Sequence, residues 1–192
     1  ERPLPKDIKK RLEVKNVTCY SHEGVKQLDN VSFDAYAGEI LGIAGIAGSG
    51  QKELLEAISG LQPVTPESSI TYFDPATDAP VPLIGRSVKE IRNLGISLSF
   101  VPEDRLGMGL VGSMGMTENM MLKSYTDGFP FFTDKRAPKL LAERIMHDLE
   151  VVTPGVSTPV RRLSGGNVQK VLVGREIAAA PTLLMTAYAV RG

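Results

Sequence analysis

The sequence predicts an α/β fold, and three observations predict it. An apolar run over 39–44 passes directly into a glycine-rich loop, and that loop into a segment with helical apolar spacing. Two stretches nearer the N-terminus alternate apolar and polar residues, as half-buried strands do. A second glycine-rich turn, at 164–166, opens a segment rich in helix formers.

Taken in order, residues 1–11 are rich in proline and charge and read as a linker or tail. Residues 12–20 alternate at Leu12, Val14, Val17 and Cys19 and predict a strand; 31–36 predict a second, closed by a turn at Ala37-Gly38. The run 39–44 suits a buried parallel strand. The loop Gly45-Ile46-Ala47-Gly48-Ser49-Gly50-Gln51-Lys52 follows, then a helix to Ile58. Residues 62–87 mix prolines and polar residues with short strand-like pieces, and 96–101 predict another strand. Residues 117–150 are mostly helical in pattern, broken at Gly128-Phe129-Pro130. The helix after Gly166 runs to about Ala180, where Pro181 resets the chain into Leu183-Leu184-Met185, a final buried strand. There are no internal repeats and no low-complexity tracts.

Composition narrows the function classes. The 192 residues are 42% hydrophobic and 23% charged, which fits a globular domain with a real core. Lys+Arg 22 balances Asp+Glu 22, which argues against a nucleic-acid partner and against a polybasic membrane arm. The apolar stretches are too short and glycine-rich to span a bilayer, and Glu1-Arg2-Pro3-Leu4-Pro5 has no signal-peptide pattern. Cys19 has no cysteine to pair with and reads as an inert strand or core thiol, which fits a reducing compartment. His22, His147 and one cysteine make no zinc-type cluster, so no metal site of the chain's own is expected.

The glycine loop has the spacing of a phosphate cradle. In G-x-x-x-x-G-K-[ST], glycines let backbone N–H groups converge on phosphates, lysine neutralises the outer phosphates, and the Ser/Thr hydroxyl holds Mg²⁺. Gly45 and Gly50 keep the spacing, with Gly48 and Ser49 between them, but Gln51 stands at the lysine position and Lys52 at the hydroxyl position. Glutamine carries no charge and lysine cannot ligate a cation. A one-residue slip does not restore the pattern, because it turns Lys52 by about 100° around the helix. From the loop alone, a ligand-free glycine turn between strand and helix fits equally well.

The run Leu163-Ser164-Gly165-Gly166-Asn167-Val168-Gln169-Lys170 breaks that tie. It resembles the signature of the ATP-binding-cassette (ABC) ATPases, in the form carried by importers for simple sugars and nucleosides. Other stretches agree in order: 37–45 resembles the lead-in to the phosphate loop of those proteins' second cassette, and Phe100-Val101-Pro102-Glu103-Asp104-Arg105 their Q-loop region. Gly109-Leu110-Val111 and Met116-Thr117-Glu118-Asn119-Met120 resemble the stretch that follows it, and Arg175-Glu176-Ile177-Ala178 with Leu183-Leu184-Met185 the approach to the Walker B strand. The resemblance covers about residues 12–192. It implies a P-loop NTPase fold of the ABC type: a core over 12–102 with an antiparallel β part, a helical subdomain over 103–162, and the signature helix with the Walker B strand over 163–192.

The resemblance also implies roles. Leu163, Ser164, Gly165, Gly166, Asn167 and Gln169 would face the γ-phosphate of ATP held by a companion cassette, though Ser164 also reads as a plain N-cap. Tyr20 falls where an aromatic stacks on adenine, or is a core aromatic of its strand. Glu103 would take the Q-loop position linking the nucleotide to the membrane partner, or is a surface turn residue. The Walker B acids are replaced by Ala187 and Tyr188, so Gln51, Lys52, Ala187 and Tyr188 together lack catalytic and magnesium chemistry.

The expected function is the second cassette of an ABC importer for simple sugars or nucleosides, cytoplasmic and peripheral on the inner face of the membrane. ATP and Mg²⁺ would act at a composite site shared with a companion cassette. Permease subunits would dock on the helical region, with Phe129-Pro130-Phe131-Phe132 as a contact or as ordinary helix packing, and a substrate-binding protein would act indirectly. The chain reads as a fragment, with a swapped or associated form expected. An active P-loop enzyme and a soluble non-transport ABC ATPase are the alternatives.

Overall fold

The computed structural model describes residues 8–46, 48–94, 96, 106, 109–124 and 135–186. The chain divides into two compact units, Glu1–Leu98 and Ser99–Gly192.

The first unit is organised by an antiparallel sheet in the order β2-β1-β3-β4, formed by β1 (Lys10–Tyr20), β2 (Lys26–Tyr36), β3 (Ser69–Phe73) and β4 (Pro80–Pro82). The apolar positions of β1 depart from strict period two, because Val14 to Val17 is a step of three. Asn16 adopts φ 52°, and the pairing with β2 shifts between Val14 and Val17. This bulge resets the alternation, so Leu12, Val14, Val17 and Cys19 are all buried. The Ser32 hydroxyl accepts from Asn16 N at 2.9 Å and holds the bulge. Helix α1 (Gln51–Ile58) buries Leu54, Ala57 and Ile58, an i, i+3, i+4 stripe, and lies against β2. Helix α2 (Val88–Asn93) opens with a capping box: Ser87 N donates to Glu90 Oε2 at 2.7 Å, and Glu90 N donates back to Ser87 Oγ at 3.3 Å.

The second unit packs α3 (Met116–Ser124), α4 (Arg136–Asp148) and α5 (Gly165–Ala178) around Met116, Met120, Ala142, Ile145, Val168 and Leu172. A 3₁₀ turn, Val160–Arg162, leads into α5. Gly174 lets α4 approach closely, since a Cβ there would lie 2.7 Å from Ile145 Cγ2. Asn119 is fully buried and satisfied: Oδ1 accepts from Val111 N, and Nδ2 faces the carbonyls of Val111, Met114 and Gly115.

Two expected strands are corrected. Residues 39–44 carry no strand pairing, and Ile40, Leu41 and Ile43 are exposed. Residues 183–185 are likewise unpaired, with Leu184 exposed and only Met185 buried. A parallel strand exists only through neighbours that complete its ladder and cover both faces, and an apolar run does not supply them. Among the described residues the sheet is wholly antiparallel. Of the strand expected over 96–101 only Ile96 falls among the described residues, and it is buried. The break at 128–130 and the aromatic run 129–132 lie outside them. Helix α5 ends at Ala178, two residues before the expected stop; Ala180 turns left-handed, φ 47°, just before Pro181.

Candidate functional site

The candidate residues fall in two places, the glycine loop of the first unit and the entry to α5 in the second.

Gly50 is the N-cap of α1 with φ 96°, and a Cβ there would lie 2.7 Å from Gln27 O and 2.8 Å from Leu28 Cδ2. Glycine is therefore required by both conformation and space. Gly48 is also left-handed, φ 81°, but open on its Cβ side. Gly45 is covered by the loop's own side chains: a Cβ on it would collide with the Gln51 amide and the Ser49 hydroxyl. Ser49 Oγ lies 2.7 Å from Ile46 O and 3.0 Å from Gln51 Oε1.

The charges around this loop suit phosphate poorly. Lys52 reaches along the surface of α1 to Glu56, Nζ to Oε1 3.6 Å. Glu53 places a carboxylate in the first turn of α1, where it occupies the positive end of the helix dipole. Gln51 and Lys52 thus provide neither an inward cation nor a hydroxyl for magnesium. Gly48 and Gly50 take left-handed turns in the loop, and the side chains of Gln51 and Lys52 do not fit Mg²⁺-nucleotide. Tyr20 ends β1 and is 44% exposed, so it is not a core aromatic; its carbonyl accepts from Gln62 Nε2.

The run 163–170 is differently built. Leu163 packs against the helical core. Ser164 is the N-cap of α5, and its Oγ accepts from Asn167 N at 3.4 Å. Ser164, Gly165 and Gly166 are exposed. A Cβ on Gly166 would meet nothing within 4 Å, so the fold itself does not ask for glycine there. Asn167 turns the other way. Its Oδ1 accepts from Val152 N at 3.1 Å, while Nδ2 donates to Val152 O at 3.2 Å and to Ser164 Oγ at 3.0 Å. Lys170, one turn on, donates to Glu150 O at 3.0 Å. Asn167 and Lys170 therefore fasten the start of α5 to the turn after α4, and Gln169 lies half-exposed between them.

Near the other end of α5, Arg175 and Glu176 form a buried ion pair at 2.8 Å, and Arg175 Nη2 donates to Gly109 O at 2.8 Å. This pair anchors the segment at Gly109 to the helix. Local sequence does not mark it, because adjacent opposite charges on a helix ordinarily face solvent. Glu103, Ala187 and Tyr188 lie outside the described residues.

A family model described as ABC transporter matches residues 28–186. The chain belongs to the ABC transporter family. The match takes in both the glycine loop and the signature run. Among relatives, the chain is 36% identical over 183 residues to the xylose import ATP-binding protein XylG of Thermoanaerobacter pseudethanolicus, covering 94% of this chain and 35% of that protein. It is 34% identical over 188 residues to the guanosine import ATP-binding protein NupO of Bacillus subtilis, covering 94% and 34%. This cassette thus spans about a third of the length of the curated relatives it matches. Among solved structures, the dimeric bacterial ABC transporter cassette MJ0796 superposes with TM-score 0.70 at 22% identity, covering 91% of this chain and 72% of that one. A nucleotide-free ATP-binding cassette gives 0.70 at 21%, covering 95% and 70%. These likenesses establish the P-loop ATPase fold of the ABC type. No helix among the described residues is long and apolar enough to cross a membrane.

Proposed function

We propose that this cassette supplies the signature side of a composite ATP site in an importer for simple sugars or nucleosides. The observation that carries the reading is the contrast between its two candidate sites. The glycine loop is turned in on Gln51 and Ser49, with Lys52 paired away on the helix surface. The signature turn presents Ser164 and Gly166 to solvent from a helix N-terminus braced by Asn167 and Lys170. A helix N-terminus favours a negatively charged group, and Gly166 allows close approach by one.

ATP with Mg²⁺ would be held chiefly by a companion cassette, either the other half of the same protein or a dimer mate. The phosphate chemistry belongs to that bound nucleotide. Ser164 contributes a hydroxyl donor and Gly166 a backbone N–H, both preorganised by the fold. Tyr20 would offer a stacking face beside this cassette's own loop, and Glu103 would relay the nucleotide state to permease subunits docked on the helical region. Relatives named for xylose and guanosine import support sugars or nucleosides as the cargo class. The protein would then sit in the cytoplasm against the inner face of the membrane, and a substrate-binding protein would deliver cargo to the permease.

Calorimetry with ATP and Mg²⁺, followed by turnover on the same samples, tests the reading. The isolated chain should bind weakly and hydrolyse nothing. The assembled pair should hydrolyse, and Ser164→Ala should slow it by roughly ten- to a hundredfold, the value of one hydrogen bond to a charged group. Tight Mg²⁺-dependent binding with turnover by the isolated chain would overturn it.

A further inference from the structure

We infer that Asn167 is a positioning residue that fixes the Ser164 hydroxyl as an outward-pointing donor. The inference rests on the signature reading above and adds what sets the polarity of its key side chain.

The argument is a count of donors and acceptors. The Asn167 amide lies against the whole peptide group of Val152, with Oδ1 on its N–H and Nδ2 on its C=O. Turning the amide over would set oxygen against oxygen and N–H against N–H, so the Val152 peptide decides its orientation. The second hydrogen of Nδ2 therefore points at Ser164 Oγ, 3.0 Å away. The backbone N–H of Asn167 points at the same oxygen from 3.4 Å. A serine hydroxyl has two acceptor lone pairs and one proton. Both lone pairs face Asn167, and among the described residues no acceptor takes the proton. Ser164 is exposed, so the one hydrogen-bonding function left to it is donation to a group outside the chain. An anion accepts such a bond, whereas a cation would need the lone pairs that Asn167 has taken.

This division explains why the motif faces two ways. Asn167 never needs to touch nucleotide; it acts through Ser164. Carboxylate in its place would keep the bond from Val152 N but turn an acceptor toward Ser164, drawing the hydroxyl proton inward.

The test is a double-mutant cycle on ATP turnover by the assembled cassette pair, comparing Asn167→Ala, Ser164→Ala and both together, with thermal melting of each variant alongside. Asn167→Ala should lower kcat/KM by about tenfold. In the Ser164→Ala background the same change should cost less than about twofold, because the oxygen it orients is gone. Asn167→Asp is the second variant, nearly the same size as asparagine, and should lower kcat/KM at least as far as Asn167→Ala. Losses that multiply in the double mutant, or wild-type turnover in Asn167→Asp, would overturn the inference while leaving the signature reading in place. Wild-type turnover in Ser164→Ala would overturn both.

Discussion

Two glycines of α5 meet opposite surroundings. Gly166 faces open space, so Gly166→Ala should leave the fold unharmed or stabilise it by about 0.5–1 kcal/mol, the usual gain of alanine over glycine inside a helix. The same change should still impair turnover of the assembled pair, because the added methyl occupies the space that a phosphate would approach. Gly174 is pressed against Ile145 and Leu149, so Gly174→Ala should destabilise by about 1–3 kcal/mol through overpacking. Chemical denaturation of both variants checks the pair of signs. Cys19 is the third residue-scale case. It is buried in β1, and burial pushes its thiol pKa up. It should react with iodoacetamide only after unfolding, which mass spectrometry reads directly. Its burial was legible from the alternation around it. The direction of the Asn167 side chain was not, because it depends on Val152, fifteen residues away.

At the scale of elements, the first two strands, α1 and α5 were legible because their periodicity and punctuation are local. The bulge at Asn16 was written as a step of three in an otherwise alternating strand, and only the pairing with β2 showed how the chain accommodates it. The capping box at Ser87 and Glu90 is also written in the sequence as S-x-x-E. It has a pH consequence. Hydrogen bonds from the Ser87 hydroxyl and N–H hold the Glu90 carboxyl below its ordinary value of 4.5, and backbone N–H groups of Thr77 and Ala76 do the same for Asp74. A carboxyl whose folded pKa is depressed stabilises above its unfolded pKa, and the benefit is lost as pH falls through the folded value. Melting temperature should therefore hold steady above about pH 5 and decline below about 4, and Glu90→Gln should flatten that decline.

At the scale of the molecule, Ile40, Leu41, Ile43 and Ile46 form an exposed apolar stretch, with Ile46 82% accessible. Surface of this kind promotes association. The isolated chain should therefore run larger than a monomer in light scattering, and Ile43→Lys with Ile46→Lys should shift it toward the monomer. Sequence alone determined the family, the order of the motifs, the balanced charge and the presence of Gln51 and Lys52 in the glycine loop, because those are matters of residue identity and spacing. Tertiary structure decided that 39–44 and 183–185 are unpaired, that Lys52 turns to Glu56, and that Asn167 faces Val152 while Ser164 faces outward. Each of those outcomes depends on which atoms distant parts of the chain bring within hydrogen-bonding or packing distance, and local pattern carries no record of that.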